Sequence, residues 1–333
     1  VLESTGGLIF VLQNRDQRVR VFDARGAFVR DIGRSGAGPG ETRSMGGMGL
    51  IGDTLWTINA FPSKVNFFDT EGRVLASRVI PEIKRGSEVW MANAVLSESR
   101  ALFWPRPIGP RDPTRRQDLF LAGWDTTRSV RVTTVPLFPW GSIRMPTPGD
   151  NEVLVSRTAL FRMGRTGPLT AAAGDAFAVA DQPACESGTS LPITVYDPQG
   201  SVRARASWPC TMNDVTTRLT DSVVADLRDY FVREHKVDRS LAEREVRSQL
   251  GSLRRLPVLE GLRLAQDGSV WVTPFTTTVG AAQRWTRVLP ASGARISVVV
   301  PAKHDLVGIV SSDVFWTQTL DEDGVPTIHR LRR

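Results

Sequence analysis

The sequence predicts an all-β fold, a six-bladed β-propeller of four-stranded antiparallel blades carrying an inserted α-helical hairpin. Three observations lead there. First, a short apolar run with an aromatic residue recurs six times, at Phe10, Trp56, Phe103, Phe177, Trp271 and Phe315, and three of the five gaps lie close to 46 residues. Second, several of these runs are followed by another apolar strand ending in a tight turn that opens with Asp and closes with Gly: Asp23 to Gly26, Asp69 to Gly72 and Asp197 to Gly200. Asp accepts from backbone N–H groups two residues on, and Gly supplies the positive φ that closes the hairpin. Third, an alternating run follows the turn: Phe28–Ile32, Val74–Val79, Val130–Val135, Val202–Trp208 and Ile296–Val300. With a short inner strand ahead of each aromatic, the unit has four strands. Such a unit buries its faces only against neighbouring copies around a channel.

The widest gap, 94 residues, is about two periods long, but helices fill it. Val223, Val224, Leu227, Tyr230 and Phe231 recur at helical spacing, as do Leu241, Val246, Leu250 and Leu253. The helical insertion therefore spans about 219–255, between blades four and five. Ser240 with Glu243 reads as a capping box that starts the second helix, with Lys236–Arg239 as the joint.

The stretch from Arg18 to Glu41, RVRVFDARGAFVRDIGRSGAGPGE, resembles the NHL-type blade of bacterial six-bladed propeller proteins. The Gly33–Glu41 turn is its most specific piece. Blade two keeps the pattern, blade four keeps part of it, and the other blades keep only its spacing. The resemblance implies a single propeller over residues 1–333 and an exported or lipid-anchored protein. It implies no particular activity, because similar propellers include scaffolds, metal-dependent lactonases and lyases.

Blade six reads as three strands, near Leu306–Val310, Val314–Leu320 and Thr327–Leu331. The expectation is that a segment ahead of Val1 completes it, with an export signal or anchor further upstream. In blade four, the loop holding Cys185 and the exit holding Cys210 fall on the same face. A disulfide between them is expected, which would place the chain in the periplasm or outside the cell.

Lys and Arg number 42 against 35 Asp and Glu, a net charge of +7, and only four of the cations are Lys. They form no basic helix face or stacking platform, so a nucleic-acid partner is not expected. The longest uncharged stretch, Gly268–Gln283, is broken by threonines and a proline and cannot form a spanning helix of about 20 apolar residues.

Long connections gather on one rim: Pro105–Asp118 in blade three, Pro136–Gly167 after it, the Cys185 loop and the helical hairpin. Arg106, Arg111, Arg115, Arg116, Trp140 and Arg144 there have the composition of a protein-binding patch, or of a solvated loop whose arginines balance nearby acids. A calcium-type oxygen site at the channel mouth would draw on Glu41, Glu88, Asn93, Glu260 and Asp305, which fall near inner-strand starts. His235, His304 and His329 show no ligand spacing along the chain. No nucleophile elbow is present, and the Gly33–Gly40 run lacks the Lys-Ser/Thr of a phosphate loop. The leading expectation is a non-catalytic exported scaffold, or a peripheral subunit of a membrane-attached complex, that binds another protein through the elaborated rim. The alternative is a metal-assisted, lactonase-like hydrolase or lyase acting in the channel.

Overall fold

The computed structural model describes the chain apart from residues 60–62, 81–82, 86–87, 108–115, 125–128, 137–141, 148–150, 157–168, 182–184, 186–189, 212–213, 251–255, 257, 277–280 and 290–295. Six antiparallel sheets follow one another along the chain. Blade one is β1 (Leu2–Glu3), β2 (Ile9–Gln13), β3 (Arg18–Phe22) and β4 (Phe28–Ile32). A two-residue parallel ladder between β5 (Arg34–Ser35) and β6 (Glu41–Thr42) ties the link to blade two. Blade two is β7 (Met45–Ile51), β8 (Thr54–Asn59), β9 (Lys64–Phe68) and β10 (Val74–Val79). Blade three has five strands: β11 (Ile83–Arg85), β12 (Glu88–Ser97), β13 (Arg100–Pro107), β14 (Arg116–Gly123) and β15 (Ser129–Pro136).

A separate hairpin of β16 (Ser142–Thr147) and β17 (Asn151–Ser156) precedes blade four. Blade four is β18 (Leu169–Ala173), β19 (Ala176–Ala180), β20 (Ser190–Tyr196) and β21 (Val202–Pro209). Helices α1 (Thr217–His235) and α2 (Arg239–Leu250) follow. Blade five is β22 (Leu259–Leu264), β23 (Val270–Pro274), β24 (Gln283–Leu289) and β25 (Ser297–Val300). Blade six is β26 (Asp305–Ile309), β27 (Val314–Leu320) and β28 (Pro326–Arg332). The six-bladed propeller with a two-helix insertion is thus the observed architecture.

Each aromatic of the repeat is buried between blades, as the repeat requires. Apolar clusters fill the junctions in turn. Phe10 meets Phe68 between blades one and two, Trp56 meets Phe103 between two and three, and Leu102 meets Phe177 between three and four. Val195 and Val272 belong to the cluster between four and five, and Trp271 meets Phe315 edge-on between five and six, with ring centroids 5.2 Å apart. Blades six and one are joined by polar groups. The Glu3 carboxylate accepts from Arg330 Nη2 at 2.8 Å and from Trp316 Nε1 at 3.1 Å, while Arg330 lies over the Trp316 ring.

Three local readings change. Arg106 and Arg116 belong to β13 and β14, so the connection read as Pro105–Asp118 is shorter, because both strands run on past the blade. The Pro136–Gly167 link contains the β16–β17 hairpin, whose alternation Ile143, Met145 against Val153, Val155 was masked by flanking prolines. The second helix is capped by Asp238, two residues ahead of the Ser240 box. The Asp238 carboxylate accepts from the backbone N–H groups of Ser240 and Leu241, each at 3.0 Å, and from the Ser240 hydroxyl. These bonds hold its carboxyl below the usual range.

The inserted helices bring their own core. Val223, Val224, Leu227 and Phe231 of α1 pack on Ala242, Val246 and Leu250 of α2, and Met145 of β16 is fully buried among them. Insertions from two successive links thus share one small lobe. Cys185 and Cys210 form the expected disulfide, with Cα atoms 5.3 Å apart.

Candidate functional site at the channel mouth

In a four-stranded blade the first strand lines the channel, and its N-terminal end opens on the face that also receives the link from the preceding blade. Here β7 and β12, β12 and β18, and β18 and β22 adjoin, β12 being the second strand of five-stranded blade three and the others the first strands of theirs. The starts of β18, β22 and β26 border a cavity of about 250 Å³ at the blade-five side of the mouth. Glu260, Arg263, Thr273, Gln283 and Asp305 supply its polar groups, and Trp285 and Leu306 its apolar wall. A second cavity of about 310 Å³ lies further along the channel, among Leu2, Met48, Leu50, Trp56 and Ile309, and Arg263 borders both.

The mouth cavity is held in shape by its own hydrogen bonds. Trp285 Nε1 donates to Gln283 Oε1 at 3.2 Å, and Gln283 Nε2 donates to Glu260 Oε1 at 3.3 Å. Arg263 Nη2 donates to the Leu306 carbonyl at 3.2 Å, linking blade five to blade six. Gly261 lets the backbone pass close to the indole: a Cβ there would lie 2.6 Å from the Trp285 ring. A chain of contacts from buried core to channel thus orients a carboxylate and a guanidinium toward one space.

Two of the residues expected at a channel metal site, Glu260 and Asp305, therefore share a cavity. Glu88 and Asn93 lie on β12, Glu88 in the part of the strand that pairs with Arg85 of β11, and their side chains are outside the described residues. Glu41 serves its own turn. Its carboxylate accepts from Gly38 N–H at 2.8 Å and Arg34 Nε at 2.7 Å, and these bonds hold it below the usual carboxylate range. Among the described residues no group of three or more His, Cys, Asp or Glu gathers as a metal centre.

The rim set is only partly described. Arg106, Arg116 and Arg144 sit on β13, β14 and β16, with side chains outside the described residues, and Arg111, Arg115 and Trp140 lie outside them altogether.

One juxtaposition has no signal in chain spacing. His304, in the link into blade six, and His329, on β28, have ring centroids 4.9 Å apart. His304 Nδ1 lies 3.0 Å from Thr317 Oγ1, and His329 Nε2 lies 2.9 Å from Thr319 Oγ1. The pairing of Thr317 with His329 across β27 and β28 brings them together, which only the register reveals.

Residues 1–73 match a family described as a 6-bladed beta-propeller. No curated protein matches. Among solved structures, a member of the duf4221 family from Bacteroides vulgatus is 9% identical, with 100% of this chain and 94% of that chain covered and a TM-score of 0.47. A putative exported protein from Bacteroides fragilis is 12% identical over 77% of this chain and 90% of that one, with a TM-score of 0.30. A streptogramin B lyase is 11% identical over 99% and 81%, with a TM-score of 0.37. No helix among the described residues is long and apolar enough to cross a membrane. The strand order and the match over residues 1–73 make this chain a six-bladed β-propeller with a disulfide-tied fourth blade and an inserted helical lobe.

Proposed function

We propose that the chain acts on a small polar molecule at the channel mouth, as a hydrolase or lyase. One observation carries the reading: two carboxylates, Glu260 and Asp305, and the Arg263 guanidinium, from the first strands of neighbouring blades, border one cavity. A carboxylate bordering the cavity is a base in reach of a bound substrate, and a guanidinium beside it stabilises the negative charge that proton removal or water attack builds up. Cation assistance would need oxygen ligands beyond Glu260 and Asp305, for which the sequence offers Glu88 and Asn93 of β12. The Cys185–Cys210 disulfide supports a periplasmic or extracellular location.

The test is turnover of a panel of lactones, esters and substrates bearing a β-leaving group, with and without EDTA and with added calcium. Loss of turnover by about 10²- to 10⁴-fold in E260Q and D305N is expected. Loss on EDTA treatment with recovery on calcium would add the cation. A panel with no turnover would refute the reading.

A second reading, a protein-binding scaffold or a peripheral subunit of a membrane-attached complex, is favoured by the lobe. Two insertions share one core, and Arg106, Arg116 and Arg144 lie on β13, β14 and β16. Pull-down from the native envelope distinguishes the two: a stoichiometric partner released by R106A/R116A/R144A supports the scaffold.

A further inference from the structure

We infer that His304 and His329 form a two-histidine site for a divalent transition cation of the zinc class, at the seam where the chain enters blade six. Both imidazoles are partly exposed, so an ion can reach them. Each ring has one nitrogen engaged by a threonine hydroxyl, Nδ1 of His304 with Thr317 and Nε2 of His329 with Thr319. That leaves Nε2 of His304 and Nδ1 of His329 as the two ligating atoms. Metal-binding histidines have this construction, with the second nitrogen donating to a fixed oxygen that sets the tautomer and holds the ring.

The spacing agrees. A zinc–nitrogen bond of about 2.0–2.1 Å places the ion about 3.2 Å from a ring centroid, so centroids 4.9 Å apart subtend about 100° at the metal, near the tetrahedral value. The ligands are nitrogens only, which selects zinc, nickel or copper over calcium or magnesium. No third protein ligand joins them among the described residues, so water completes the coordination. Thr317 is fully buried and Thr319 half-buried, so the second shell belongs to the blade itself. A bound ion would pin the link from blade five to the last strand of blade six. The site is separate from the mouth cavity, whose walls include neither histidine.

Zinc titration of the full chain by calorimetry, paired with thermal unfolding, tests the site. One zinc per chain is expected, with affinity falling at least tenfold in H304Q and in H329Q and unchanged in H235Q and E260Q. Zinc should raise the Tm of the wild type and not of H304Q or H329Q, as mass action requires of a ligand bound only to the folded state. T319V, which leaves both ligands in place, should weaken zinc by about 10- to 100-fold. Undiminished affinity in both histidine variants, loss of zinc in E260Q, or no binding up to millimolar zinc would each overturn the site.

Discussion

The junction of blades one and two and the junction of blades five and six place carboxylates near the start of a blade's first strand and surround them differently. At the first, Glu41 folds back on Gly38 and Arg34, Lys64 Nζ donates to the Gly38 carbonyl at 2.8 Å, and Asn66 Oδ1 accepts from Gly40 N–H at 3.2 Å. Burial lowers the Lys64 pKa, and Glu41 offsets part of that. The polar groups close a turn. At the second, Glu260, Arg263 and Asp305 border a cavity, where Gln283, itself held by Trp285, donates to Glu260 and Arg263 donates to the Leu306 carbonyl. Position in the repeat alone does not decide whether a carboxylate closes a turn, as Glu41 does, or borders a cavity, as Glu260 and Asp305 do.

The largest effect expected on this contrast is at the base of the second junction. Trp271 is fully buried against Phe315, and its indole donates to Ser269 Oγ at 2.8 Å. W271A should cost about 3–5 kcal/mol in denaturant unfolding and abolish any ligand binding at the mouth. The same truncation of Phe231 in the rim lobe should cost a similar amount but leave blades one and two protected in hydrogen exchange.

Next is the disulfide. Reduction, or C185S/C210S, opens a tie between residues 25 apart in sequence and should lower stability by about 3 kcal/mol. Smaller again is G40A at the first junction. Gly40 sits at φ +75°, and a Cβ there would lie 2.4 Å from Val74 Cγ2. A loss of about 2 kcal/mol with unaltered turnover is expected, as a strained backbone and a local clash combine.

The smallest effect is that of pH. Asp175 is held below the usual carboxylate range by Arg203, and Glu41 and Asp238 by the bonds described above. Carboxyls depressed in the folded state contribute stability above their unfolded pKa and lose it as pH falls through the folded one. Melting temperature should therefore be flat near neutrality and decline below about pH 4. Because Asp175 and Asp238 are exposed and Glu41 is only partly buried, the decline should be shallow.

Much of the fold was legible because propeller blades repeat local signals: an aromatic every 46 residues or so, the Asp-to-Gly hairpin turns, alternation in the third strand, helical spacing around Leu227 and Phe231. The register supports those readings strand by strand, from Phe10 opposite Val21 to Phe177 opposite Tyr196. What escaped depends on contacts distant in sequence or on competition between neighbours. Asp238 outcompetes Ser240 as a cap because its carboxylate reaches two N–H groups at once. The β16–β17 hairpin owes its place to Met145 entering a helical core about 80 residues further on. His304 and His329 meet only through the pairing of the last two strands. Glu41, Glu260 and Asp305 look alike in the sequence, and only contacts in the fold separate a carboxylate that closes a turn from two that border a cavity.

The most direct test of that separation is to measure unfolding stability and turnover together in E41Q and E260Q. E41Q should lower the Tm and leave turnover at the wild-type level, whereas E260Q should abolish turnover. A fall in Tm for E260Q with turnover intact would contradict that separation.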